Sequence, residues 1–94
     1  MSKENFIWLP EITEKLQEKH GVEQNEVEQV FAGKPRYFRG PKGKRRGENV
    51  YYAFGQTAGE RYLVVTYIKK KDGRALILSA REMTDKERRR YQRK

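Results

Sequence analysis

The sequence predicts an α+β fold in which two helices precede a run of antiparallel strands and a third helix closes the chain. Three observations predict it. Apolar residues between positions 10 and 31 recur at helical spacing. Those between 36 and 78 alternate, or run together, in strand-length segments, with Asp72-Gly73 marking a hairpin. Thr84 and Glu87 then stand at capping-box spacing ahead of an arginine-rich tail. The expected architecture is a small antiparallel β-sheet of about four strands, packed by two N-terminal helices and a C-terminal helix. With 94 residues, and no repeat or linker, the chain is read as a single domain spanning 1–94.

The elements follow in order. Phe6, Ile7, Trp8 and Leu9 form a short apolar run that suits an edge strand or an anchor onto the core. Pro10 fits the first turn of a helix, where its missing N–H costs nothing. Ile12 and Leu16 lie four apart and His20 continues their stripe, which predicts half-burial of the imidazole. Gly21 is the expected left-handed stop. A second helix opens at a cap on Glu23, with Val22 placed to staple onto Val27. Val27, Val30 and Phe31 are its core side, and Gly33 and Pro35 end it. Positions 36–39 suggest a first strand and 41–47 a basic loop. In 50–56, Val50, Tyr52 and Phe54 alternate against Tyr51, Ala53 and Gly55. Positions 62–68 are apolar on both faces, as in a central strand. The Asp72-Gly73 turn should pair 61–69 with 74–81.

Composition narrows the function. Hydrophobic residues make up 35 % and charged residues 37 %, lean for a globular chain but periodic rather than scattered. The absence of cysteine rules out disulfides and thiolate chemistry, and a single histidine argues against a zinc site. No apolar run is long enough for a membrane helix, and the N-terminus lacks a signal-peptide pattern, so a cytoplasmic location is expected. No P-loop, dinucleotide-binding turn or nucleophile elbow is present, and no cofactor is expected. The net charge of +9 is unevenly spread. Residues 1–33 hold three Lys and seven Glu, net −4, whereas 34–46 hold seven Lys or Arg and no acid, net +7. An acidic first third and a basic remainder suggest two faces with different partners, the basic one suited to a polyanion.

Several constellations point to nucleic acid. Lys42, Lys44, Arg45 and Arg46 form the densest cationic stretch and suit phosphates, although a solvated loop would look the same. Arg74 adds to them. Lys19-His20 closes the first helix, where a neutral imidazole can exchange a proton, or where the two residues simply complement the helix dipole. Hairpin pairing would bring Arg61 and Arg81 to one end of the sheet, where two planar guanidinium forks could form an anion site. The alternative is pairing with Glu48, Glu60 or Glu82. Tyr37, Phe38, Tyr51, Tyr52, Tyr62 and Tyr67 offer stacking platforms to unpaired bases, or pack as core and cross-strand pairs.

Five segments together carry a resemblance. They are Lys19-His20-Gly21-Val22; Glu26-Val27-Glu28-Gln29-Val30-Phe31; Gly55-Gln56-Thr57-Ala58-Gly59-Glu60-Arg61-Tyr62-Leu63-Val64-Val65; Leu78-Ser79-Ala80-Arg81-Glu82-Met83-Thr84; and Glu87-Arg88-Arg89-Arg90-Tyr91. In this order and spacing the chain resembles the BrnT family of ribonuclease toxins from type II toxin–antitoxin systems. The resemblance implies a RelE-like fold, RNA cleavage without a metal, and neutralisation by a ribbon-helix-helix antitoxin through which the pair reaches operator DNA. It also implies an active site near Lys19, His20, Arg61 and Arg81. His20 would then act as base or acid, with Arg61 and Arg81, assisted by Lys19, stabilising phosphoryl charge. With one histidine, a second proton-transfer role would fall to Glu48 or a tyrosine, or go unfilled. A non-enzymatic nucleic-acid-binding module using the same basic face is the alternative, and a pure interaction partner acting through its acidic helices is a third.

Overall fold

The computed structural model describes residues 5–42 and 49–92. Its elements run β1 (Phe6–Ile7), α1 (Pro10–His20), α2 (Gln24–Ala32), β2 (Arg36–Lys42), β3 (Asn49–Gln56), β4 (Tyr62–Lys69), β5 (Ala75–Glu82) and α3 (Asp85–Gln92). They form one five-stranded sheet in the order β1-β5-β4-β3-β2. Four strands are antiparallel, as expected, but β1 adds a fifth, parallel to β5, so the sheet is mixed. A two-residue strand carries no alternation of its own. Its direction is decided by where Phe6 finds a core, edge-on to Phe31 with ring centroids 5.2 Å apart.

Local signals account for most element ends. Pro10 opens α1, and Gly21 closes it at φ 59°, its N–H bonding the Gln17 carbonyl. The Val22 N–H then bonds the Leu16 carbonyl at 3.1 Å, which turns Val22 into the core with no remaining exposure. That turn corrects the expectation for His20. Val22 takes the core position that follows Leu16, and His20 is exposed. An alkyl side chain loses nothing on leaving water, whereas an imidazole would need a partner. At α2 the Glu26 carboxylate accepts the Glu23 N–H at 3.0 Å, and Val27, Val30 and Phe31 are buried. Thr84 and Glu87 make the reciprocal capping box of α3, at 2.9 and 3.2 Å.

The sheet separates two layers. On one side α1 and α2 cover Ala53, Leu63, Val65, Tyr67, Ile77 and Ala80, which form the core with Leu16, Val22, Val27, Val30 and Phe31. Gly55 allows the close approach of α2, because a Cβ there would sit 2.7 Å from Val30 Cγ1. On the other side, among the described residues, Phe54 and Val64 are buried, in the pocket that α3 covers. Two bulges adjust the sheet. One falls between Arg39 and Lys42, and the other makes Leu78 an extra residue on β5 between the pairs Thr66↔Ser79 and Tyr67↔Ile77. Among the described residues no helix is long and apolar enough to cross a membrane.

Candidate functional site

The hairpin pairs as the sequence predicts, and it brings Arg61 and Arg81 to the same end of the sheet. It does not bring them together. Arg81 stands opposite Val64 on β5, and Glu82 stands opposite Leu63. Side chains alternate across a strand, so Arg81 shares the α3 side with Val64, and Glu82 shares the α1–α2 side with Leu63 and Arg61. The two guanidinium groups therefore point to opposite faces, and the shared anion site does not form.

Arg61 is fully engaged. Its Nη1 donates to both carboxylate oxygens of Glu26, at 2.9 and 3.0 Å, and to the Gly21 carbonyl at 2.9 Å. Its Nε donates to Glu82 at 3.3 Å, and its Nη2 to the His20 carbonyl at 3.5 Å. Burial disfavours its charge, but the hydrogen bonds and charges of Glu26 and Glu82 outweigh this and raise its pKa. One side chain thus ties the end of α1, the start of α2 and the β4–β5 pair. Lys19 and His20 lie beside this brace at the end of α1, both exposed, with His20 fixed at its backbone by Arg61.

Arg81 has a different setting. Its two terminal nitrogens donate to the two oxygens of Glu87, at 2.7 and 2.8 Å. This bidentate pair, helped by the Thr84 N–H, holds the Glu87 carboxyl down at about 2 and raises Arg81. Around it lies a cavity of about 540 Å³ lined by Phe38, Arg39, Tyr52, Phe54, Val64, Arg81, Glu87 and Arg90. The guanidinium groups of Arg81 and Arg90 and the Glu87 carboxylate meet here on the α3 side, and Arg39, opposite Tyr51, lies at the β2 edge of the pocket. Arg90 stacks on Phe38, its central carbon 4.2 Å from the ring centroid.

The lid of this pocket, α3, buries no residue of its own. Cations hold it instead. Arg81 clamps its first turn through Glu87. Arg36 donates to the carbonyls of Arg90 and Tyr91, at 2.9 and 3.3 Å, at its far end. Arg88 lies 4.1 Å from the centre of the Tyr62 ring, which also meets Tyr91 edge-on.

The remaining predicted residues are scattered. Arg74 is exposed in the hairpin turn and pairs with Asp72 at 2.6 Å. Lys42 ends β2 opposite Asn49. Lys44, Arg45, Arg46 and Glu48 lie outside the described residues. Sequence reasoning did not assemble Arg39, Tyr52, Glu87 and Arg90 into a site. Two signals were available: the even-numbered alternation of Phe38, Tyr52 and Phe54, and the capping box that aims Glu87 back toward β5.

The fold and this pocket define a basic α+β protein with a cationic concavity suited to a polyanion. Comparison with protein families matches residues 8–87 to the ribonuclease toxin, BrnT, of type II toxin–antitoxin systems. The chain belongs to this family, and membership implies an antitoxin partner. The match ends at Glu87, the carboxylate that grips Arg81. No curated relative matches the chain significantly.

Proposed function

We propose that this protein is a metal-independent endoribonuclease whose reaction centre is the pocket around Arg81. The supporting observation is the bidentate Arg81–Glu87 contact in a concavity that also holds Arg39 and Arg90. A guanidinium fork that fits two carboxylate oxygens fits two phosphate oxygens equally well. RNA carries its own nucleophile, the 2′-hydroxyl. The protein must orient the phosphate, stabilise the charge that develops on it, and move protons. Arg81 would exchange Glu87 for the scissile phosphate, while Arg39 and Arg90 hold its neighbours. Released from Arg81, Glu87 regains basicity and can accept the 2′-hydroxyl proton, and the Tyr52 hydroxyl can donate to the leaving oxygen. Lys42, Lys44, Arg45, Arg46 and Arg74 would track flanking phosphates. The neutralising partner would be a ribbon-helix-helix antitoxin that carries the pair to operator DNA, and the RelE-like and cytoplasmic readings belong to the same proposal.

A second reading puts proton transfer at the end of α1. It is favoured by the exposure of Lys19 and His20 beside a backbone that Arg61 holds in place. Cleavage of end-labelled RNA by the full chain, with a chelator present, separates the two. Arg81→Lys should lose most cleavage while His20→Gln retains it, and the chelator should change nothing. The opposite pattern moves the reaction centre to His20. Cleavage that stops on chelation would end the metal-independent reading.

A further inference from the structure

Strand alternation sends the aromatic residues of the sheet to two sides. Phe38, Tyr52 and Tyr62 share the α3 side. Tyr37, Tyr51 and Tyr67, on three adjacent strands, share the other, and they surround a second cavity of about 380 Å³ completed by Phe31, Lys69, Gly73 and Ala75. That volume lies within the range of small-ligand sites, about 300–1,000 Å³. Its floor is fixed. Tyr51 and Tyr67 stack at 5.8 Å and 26°, and Phe31 meets Tyr67 edge-on at 5.2 Å. Its mouth is open, because Tyr37 is 53 % exposed.

The tyrosine hydroxyls of this cavity are left for a ligand. Among the described residues, no hydrogen bond engages the hydroxyls of Tyr37, Tyr51 or Tyr67, and no buried side-chain polar atom lacks a partner. The Tyr67 hydroxyl, on a residue only 7 % exposed, therefore opens to solvent at this cavity. Burial, with the neighbouring phenols of Tyr37 and Tyr51, pushes Tyr67 up to about 12, and burial also raises Tyr37. The walls thus offer uncharged O–H groups at neutral pH. The rim carries a cation, Lys69, at the start of a turn whose sequence is rich in basic residues. An apolar side chain from a protein partner would fill the rings but leave the hydroxyls without partners and the rim without counter-charge.

We propose that this cavity is a nucleobase-binding site, in which an unpaired base of single-stranded RNA stacks on Tyr37, meets the tyrosine hydroxyls with its polar edge and directs its phosphate to Lys69. The proposal rests on the reading of the chain as an RNA-cleaving toxin and adds a site on the opposite face of the sheet from Arg81. A strand occupying both sites would cross the β2 edge, where Arg39 lies between them.

The test is binding of a 2′-O-methyl RNA of about eight nucleotides, a length in the range that single-strand binding folds cover. This oligomer carries 2-aminopurine and cannot be cut through its own 2′-oxygen. A matched oligomer lacks the bases, and unmodified RNA reports cleavage in parallel. Tyr37→Ala should weaken binding of the base-bearing oligomer by roughly 5- to 100-fold, the loss expected for one base–aromatic stack, and should reduce the fluorescence quench. Tyr37→Phe should bind within a few-fold of the parent, and the abasic oligomer should bind all three proteins alike. Equal binding of the base-bearing oligomer by the parent and Tyr37→Ala overturns the proposal. If the parent still cleaves RNA in that case, only the cavity assignment falls. If the parent neither binds nor cleaves RNA, the functional reading fails and takes the cavity with it. Loss of antitoxin binding in Tyr37→Ala, with RNA binding unchanged, would make the cavity a protein-docking site and also overturn the proposal.

Discussion

Arg61 and Arg81 leave the same end of one hairpin, each gripping a glutamate, and yet they point to opposite faces and have different surroundings. The Arg61–Glu26 pair is enclosed, with 28 % and 19 % of the two side chains exposed, and Arg61 also donates to Glu82 and to the backbone carbonyls of His20 and Gly21. The Arg81–Glu87 pair faces a cavity, with 43 % and 24 % exposed, and its neighbour Arg90 leaves an excess of positive charge. A guanidinium whose three nitrogens all bond to groups of the fold acts as a brace. One that shares a carboxylate at the edge of a cationic pocket can exchange that carboxylate for a phosphate. The difference lies in what surrounds each arginine, since the chemical group is the same.

The largest expected effect tests that exchange. Arg81→Lys keeps the charge but loses the fork, and cleavage should fall by about 10²–10³. Its thermal midpoint should stay near that of the parent. An early-melting variant, or one that cuts RNA at the parental rate, would make Arg81 a brace like Arg61.

Arg61→Ala should do the reverse. It strands the half-buried Glu26 and opens the junction of α1, α2 and the hairpin, so denaturant unfolding should show a loss of about 1–3 kcal/mol. Cleavage per folded molecule should persist. A variant with parental stability and no cleavage would return Arg61 to the catalytic machinery.

Acid should weaken the Arg81–Glu87 pair. The Glu87 carboxyl is depressed from 4.5 to about 2 in the folded protein, chiefly by its hydrogen bonds to Arg81. Its contribution is therefore complete above about pH 4.5 and lost as pH falls towards 2, because protonation then favours the unfolded chain. With solvent screening at a part-exposed pair, the effect is on the order of 1 kcal/mol. Glu87→Gln should flatten the stability–pH curve in that window, and unfolding midpoints at several pH values will show it. No change in slope would mean that Arg81 and Glu87 are not paired in solution.

The smallest effect is expected at Arg74, whose partner Asp72 is exposed like itself in the hairpin turn. Arg74→Ala should leave the melting curve unaltered and reduce the slope of log affinity for RNA against log salt by about 1. An unchanged slope would remove Arg74 from the RNA interface.

Much of the fold was legible because its signals are local. Pro10, Gly21, the Thr84–Glu87 box and Asp72-Gly73 each act within a few residues, and each appears where the pattern put it. The central place of β4 was legible from its two apolar faces. The parallel β1 was not, since two residues cannot encode a direction. At the site, the sequence brought out Arg81 but paired it with the wrong partner. Counting along a hairpin shows which end a residue reaches, and the face follows only when the register is known to the residue. His20 misled for a related reason: the apolar stripe of α1 continues through the turn at Gly21 into Val22.

The sequence by itself determined the helix boundaries, the hairpin, the alternation of each strand and the family, because all of these are carried by the order and spacing of neighbouring residues. Tertiary structure alone decided which arginine is enclosed and which faces a cavity, which tyrosines gather on one side of the sheet, and how a helix with no buried residue is held by Arg36, Arg81 and Arg88. These outcomes depend on pairs far apart in the chain, such as Arg61 with Glu26 and Arg36 with Arg90. Charge and ring contacts have no periodicity of their own, so only the packed backbone brings them within reach.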